Sequence, residues 1–210
     1  MSIDFAKYRL PLQKANIYYI PNFFSKEEAD AYLSDFMANI TFDQKENEGR
    51  RTALHGHAER YRYALNDAVP APWTENLTIM RRKIESIITN AKYDVCLLNY
   101  YANGKERFAF HADREELGNP VPITSVSLGA ERKFYFRSQN DPLEEYSVFL
   151  GHGSLLIMGD GTHENYVHSL PRDKAIKDER LNLTFRQTRP ITGRLDLITK
   201  LLMDVSITNL

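Results

Sequence analysis

From residue 93 onward the sequence breaks into short apolar or alternating runs: YDVCLLNYY, RFAFH, ITSVSLG, RKFYFRS, YSVFL, GSLLIMG and RLNLTFR. Gly, Asn, Asp or Pro separates most of them. Many short segments at such close spacing point to a β-sandwich or barrel. In RKFYFRS, Phe134 and Phe136 alternate with Lys133, Tyr135 and Arg137, the two-residue period of a strand with one buried face.

The pattern ahead of residue 93 is different. The first segment ends at Pro21, and Ser25 with Glu28 three residues on makes a capping box that opens a helix over about 25–40. A second helix follows Pro72, with Leu77, Met80, Ile84, Ile87 and Ile88 on its apolar face. Residues 41–62 are polar and charged without clear period and read as loop or irregular hairpin. A last amphipathic stretch, about 193–204, reads as a short helix. The expected fold is α+β, with N-terminal helices buttressing a double-stranded β-helix, or jelly roll. The 210 residues suit one domain: helices over 1–92, the β core over 93–190 and a tail over 191–210.

Composition narrows the function classes. A net charge of -1 argues against a wholesale electrostatic binder, so any polyanion contact must use local patches such as Arg50, Arg51, Arg60 and Arg62. The single cysteine, Cys96, excludes an internal disulfide framework and lies in an apolar run, as a core thiol would. No signal-peptide pattern opens the sequence, and no apolar run reaches the ~18 residues of a membrane span. The expected location is the cytoplasm, or the nucleus of a eukaryote, with no membrane partner and a monomeric state.

Among the six histidines, His111 forms H-x-D with Asp113 at the end of an expected strand. The two-residue period puts both side chains on one face. A distal histidine brought back by the sandwich would complete two imidazoles and one carboxylate, the facial triad of non-haem Fe(II) oxygenases. His168 and His163 both qualify at this stage, whereas His152 in G-H-G reads as a turn residue.

The segment RLNLTFRQ closely resembles the AlkB-family signature R-x-N-x-T-F-R, and LLNYYANG, HADREELG, PITSVSLGAERKFYFR, HGSLLIM and HSLP occur in the family's order. The chain is thereby identified as resembling the AlkB-family Fe(II)/2-oxoglutarate-dependent dioxygenases, most like the second and third human homologues. The resemblance implies iron ligation by His111, Asp113 and His168, the last being the histidine of HSLP. It implies that Arg180 pairs with the distal carboxylate of 2-oxoglutarate, for which a guanidinium fork is suited. Asn99, Tyr101, Asn182, Thr184 and Arg186 match further cosubstrate positions.

Residues 50–63 resemble the lid over an extruded base, with Tyr61 and Tyr63 on nucleotide-contacting positions and Glu115 on a base-reading one. Arg114 replaces an acid common in the nearest relatives. The implied activity consumes O2 and 2-oxoglutarate and removes alkyl groups from bases such as 1-methyladenine and 3-methylcytosine. The implied partner is nucleic acid, DNA ahead of RNA. The alternative is an oxygenase acting on RNA, protein or a small molecule.

Overall fold

The computed structural model describes residues 3–43, 49–63, 66–113 and 122–188. A 3-10 turn, Phe5–Tyr8, leads into β1 (Ile17–Ile20) and α1 (Lys26–Asn39). The Ser25 cap forms as the sequence predicts: its Oγ accepts from the Glu28 amide at 3.2 Å, and the Glu28 carboxylate accepts from the Ser25 amide at 2.8 Å. Such a cap is worth about 1 kcal/mol. Strands β2 (Arg51–Gly56), β3 (Tyr61–Tyr63) and β4 (Asn66–Ala68) follow, then α2 (Glu75–Glu85), capped by Thr74. Leu77, Met80 and Ile84 form the buried stripe of α2, while Ile87 and Ile88 lie beyond its end and pack against the same core. The remaining elements are β5 (Val95–Tyr101), β6 (Phe108–His111), β7 (Ile123–Gly129), β8 (Arg132–Ser138), β9 (Glu145–Leu150), β10 (Ser154–Met158), the short α3 (Thr162–Asn165), β11 (Tyr166–Leu170) and β12 (Arg180–Arg186).

These strands form a six-stranded sheet, β1-β10-β7-β12-β5-β2, and a four-stranded sheet, β6-β11-β8-β9, with β3 and β4 as a separate hairpin. All pairings between named strands are antiparallel, so the expected jelly roll is the architecture found. Residues 51–56 are not loop: β2 pairs along its whole length with β5, from Arg51 opposite Tyr100 to Gly56 opposite Val95. The β core also does not begin at residue 93, because β1 and β2 are both strands of the large sheet. The expected helix near 193–204 lies outside the described residues.

The large sheet is buried on both faces, and alternation sorts its residues. Leu181, Leu183 and Phe185 of β12 join Cys96 and Leu98 of β5 and Val126 and Leu128 of β7 in the core beneath α1 and α2. The opposite parity faces the small sheet, where Ile17, Ile123, Phe134, Phe136, Leu156 and Met158 form a second apolar core. On that inner face β12 carries Arg180, Asn182, Thr184 and Arg186, all buried. Burying four polar side chains in a central strand costs free energy unless each is paired or serves a ligand.

Candidate metal centre and cosubstrate site

His111 and His168 are direct cross-strand partners on β6 and β11. Asp113 follows β6 by two residues. Ligand atoms of His111, Asp113 and His168 all lie within 4.8 Å of one another, the one such cluster among the described residues. Nε2 of His111 is 3.3 Å from one Asp113 oxygen and Nε2 of His168 is 3.9 Å from the other. His163 is not in the cluster; its ring centre lies 6.1 Å from that of His168. His152 accepts the Gly129 amide through Nδ1 at 2.8 Å, which suits its reading as a turn residue.

Each ligand is held by its surroundings. Nδ1 of His111 lies 3.0 Å from the carbonyl of Ala109, which fixes the proton there and leaves Nε2 as the ligating nitrogen. The His168 ring stacks on Phe134 at 5.3 Å and 21°, with Phe108 and Phe136 edge-on, so packing fixes its orientation. Burial drives the His168 pKa down to about 3, so it stays neutral and ligand-ready at physiological pH. Burial opposes ionisation of Asp113 too, but the Arg186 guanidinium and the two imidazoles outweigh it and hold the carboxyl well below its usual range. For His111 burial lowers the pKa, yet its contact with Asp113 wins and the net shift is upward. Two imidazoles and a carboxylate, with one imidazole exposed and two ligands buried, fit a mononuclear non-haem iron.

The inner face of β12 runs from this centre to a second charged position. Arg186 donates from Nη2 to Asp113 at 3.1 Å and from Nη1 to the Tyr61 hydroxyl at 2.9 Å. Thr184 donates to Asn182 at 3.1 Å, and the Asn182 amide donates to Ser125 Oγ at 2.6 Å and to the Val126 carbonyl at 3.1 Å. Asn182 and Thr184 therefore brace the sheet. At the far end Arg180 is 2% exposed; it donates from Nη2 to Ser127 Oγ at 3.0 Å, while Nε and Nη1 are buried without a partner. Burial lowers its pKa to about 10, which still leaves it cationic at neutral pH. Tyr101, its register partner on β5, buries a hydroxyl that also lacks a partner. Asn99 stands opposite Asn182 on the same face. Two orphaned guanidinium donors beside an orphaned phenol are the groups a dicarboxylate would satisfy, so the residues fit 2-oxoglutarate.

The nucleotide-side residues divide. Tyr61 is 5% exposed and packs with Leu54, Val95 and Leu97, so it is a wall of the site rather than an open stacking surface. The backbone of Tyr63 belongs to β3, opposite Asn66. Arg114 and Glu115 lie outside the described residues.

Three further features of the site have little local sequence signal. Ser125 and Ser127 accept the β12 side chains; their alternation in ITSVSLG, with the parity of a polar inner face, was the available signal. Arg132, 1% exposed, donates to the carbonyls of Glu106 at 2.9 Å and Pro171 at 2.7 Å and so ties together the loops flanking β6 and β11. Trp73 donates to His57 at 2.9 Å, and His57 Nε2 lies 3.1 Å from Asp94, closing the neck of the segment that carries β3 and β4.

A jelly roll with a two-histidine, one-carboxylate cluster between its sheets and a buried arginine behind it defines a non-haem iron oxygenase. The sequence model described as "2OG-Fe(II) oxygenase superfamily" matches residues 16–186, and the chain belongs to that superfamily, in its AlkB branch. It is 33% identical over 196 residues to the DNA oxidative demethylase ALKBH2 of Bos taurus, covering 84% of this chain and 70% of the relative. Against the alpha-ketoglutarate-dependent dioxygenase alkB homolog 3 of Homo sapiens the identity is 30% over 188 residues, covering 81% and 65%. The solved structure of OsALKBH1 superposes with a TM-score of 0.64 at 18% identity, covering 85% of this chain and 99% of that one, a likeness of fold. Among the described residues no helix is long and apolar enough to cross a membrane.

Proposed function

We propose that this protein oxidatively removes alkyl groups from nucleic-acid bases, DNA ahead of RNA, as a monomer that uses Fe(II), 2-oxoglutarate and O2. The observation that carries the oxygenase chemistry is the inner face of β12, which joins the His111–Asp113–His168 cluster to the unsatisfied fork of Arg180. The substrate class rests on similarity to relatives named DNA oxidative demethylase.

In this reading His111, Asp113 and His168 hold the iron. Arg180 and Tyr101 take the distal carboxylate of 2-oxoglutarate, with Asn99 beside them, and Asn182 and Thr184 keep β12 in register with β7. Arg186, at a further cosubstrate position, also orients the Asp113 carboxylate. Iron with 2-oxoglutarate and O2 supplies oxidation of the N-alkyl carbon, which leaves as an aldehyde while the cosubstrate becomes succinate and CO2. The protein's share is to position the reactants, exclude water and set the local charge. Tyr63 stacks on the extruded base across from the exposed His111 ring, and Glu115 reads its edge.

The test is demethylation of matched DNA and RNA oligonucleotides, single- and double-stranded, carrying 1-methyladenine or 3-methylcytosine, followed by mass spectrometry with succinate release measured in parallel. Loss of the methyl mass, greater on DNA, is expected. Succinate release with no methyl loss on any oligonucleotide would transfer the activity to a protein or small-molecule substrate.

A further inference from the structure

The Arg186 guanidinium joins two parts of the molecule that the chemistry above uses separately. On one side Nη2 is 3.1 Å from Asp113 Oδ1; on the other Nη1 donates to Tyr61 Oη at 2.9 Å. Tyr61 begins β3, the first strand of the hairpin in the lid-like segment, and pairs across it with Ala68. All three residues are buried, at 5% for Tyr61, 6% for Asp113 and 5% for Arg186. The Tyr61 ring packs with Leu54 of β2 and Val95 and Leu97 of β5, and Ala68 of β4 packs against the same cluster, so the hydroxyl sits where the hairpin meets the large sheet. A guanidinium is a rigid plane: turning it to follow one partner moves the donor that serves the other.

We propose that Tyr61 is a positioning residue that couples the β3–β4 hairpin to the metal centre by holding Arg186 in the orientation that leaves Asp113 free to ligate. With the Tyr61 hydroxyl in place, Nη1 is committed to the hairpin while Nη2 reaches Asp113. Without it, Nη1 loses that acceptor in a buried setting, and the fork can turn to grip Asp113 with both arms and compete with a metal for the carboxylate. Coupling is reciprocal: if the seated hairpin favours metal binding, metal binding must favour the seated hairpin by the same factor. The inference rests on the metal assignment made above but not on the substrate.

The test needs no nucleic acid. Mn(II) is titrated into the metal-free protein and into Tyr61→Phe while free Mn(II) is read by paramagnetic resonance. Hydrogen exchange of the β3 and β4 amides is followed with and without Mn(II). Phe preserves the ring packing, and Leu54→Ala serves as a variant that loosens that packing but leaves the Arg186–Tyr61 bond.

The expected result is Mn(II)-dependent slowing of hairpin exchange in the wild type, and exchange indifferent to Mn(II) in Tyr61→Phe. Mn(II) affinity should be about fivefold or more weaker in Tyr61→Phe, the lower end of ordinary coupling strengths. Leu54→Ala should exchange faster yet keep its response to Mn(II). Equal affinity and equal protection in wild type and Tyr61→Phe would overturn the coupling and leave Tyr61 as a core aromatic. Absence of Mn(II) binding by the wild type would instead refute the metal assignment itself.

Discussion

Arg180 offers the sharpest test, because the same burial that would serve a cosubstrate should weaken the empty protein. Its guanidinium is 2% exposed, keeps one bond to Ser127, and leaves Nε and Nη1 without partners. Each unsatisfied buried donor costs about 1–3 kcal/mol. Replacing a buried ion pair by apolar side chains of similar volume is often neutral or stabilising, by about 1–4 kcal/mol, and among the described residues Arg180 has no carboxylate partner that its replacement would leave behind. Arg180→Met should therefore raise the melting temperature of the cosubstrate-free protein, by about 2–4 °C for each kcal/mol gained in a chain of this size.

The same change should abolish 2-oxoglutarate binding. Arg180→Lys keeps the charge but loses the fork, and the lost charge-assisted bond is worth about 1.5–3 kcal/mol, or roughly ten- to 150-fold in affinity. Calorimetric titration of 2-oxoglutarate into the Mn(II)-loaded variants reads the second effect, and scanning calorimetry of the unloaded proteins reads the first. Mn(II) affinity should hold in both variants, since the ligands sit on β6, β11 and the loop after β6. A melting temperature lowered by several degrees in Arg180→Met, together with unchanged affinity in Arg180→Lys, would refute the reasoning.

Three further outcomes are expected. His168→Ala should lose iron binding and succinate production while His163→Ala retains both; the reverse, measured by metal titration and succinate assay, would exchange their roles. Metal affinity should fall as pH drops through the raised pKa of His111, because the protonated ring cannot ligate: affinity is full above that pKa and declines about tenfold per pH unit below it, and a flat profile from pH 8 to 5.5 would remove His111 from the ligand set. Tyr63→Ala should lose about 1–3 kcal/mol of oligonucleotide binding and Tyr63→Phe little, with uncoupled 2-oxoglutarate turnover unchanged in both; a large fall in melting temperature for Tyr63→Ala would make it a core residue instead.

What could be read from the sequence follows how each element signals itself. The Ser25–Glu28 box and the Leu77, Met80, Ile84 stripe are local devices, legible within one or two turns of helix. RLNLTFR is legible as a strand but misleading about exposure, since a polar–apolar alternation ordinarily means one wet face and here both faces are covered. Strand β2 was hidden because Arg51 and His55 interrupt its apolar residues, and only pairing with β5 discloses it. His163 and His168 stay equivalent by spacing alone. They part when the register sets His168 opposite His111 and places His163 in the preceding short helix. Nothing local in the sequence shows that Arg186, 125 residues away, donates to the Tyr61 hydroxyl.

The division of labour between the two sheets has a consequence for how this protein should lose activity. Both ligating histidines belong to the four-stranded sheet, whereas Arg180 and Arg186 belong to the six-stranded one, and between the connecting turns the halves meet through side-chain packing with no strand pairing across them. Catalysis demands alignment to about an ångström, while each sheet is stitched internally by its own backbone hydrogen bonds. Mild urea or warming that lets the halves slide would thus silence turnover while circular dichroism still reported intact strands. Inactivation in this architecture is a loosening of a seam, and turnover is a finer gauge of that seam than any spectroscopic measure of its secondary structure.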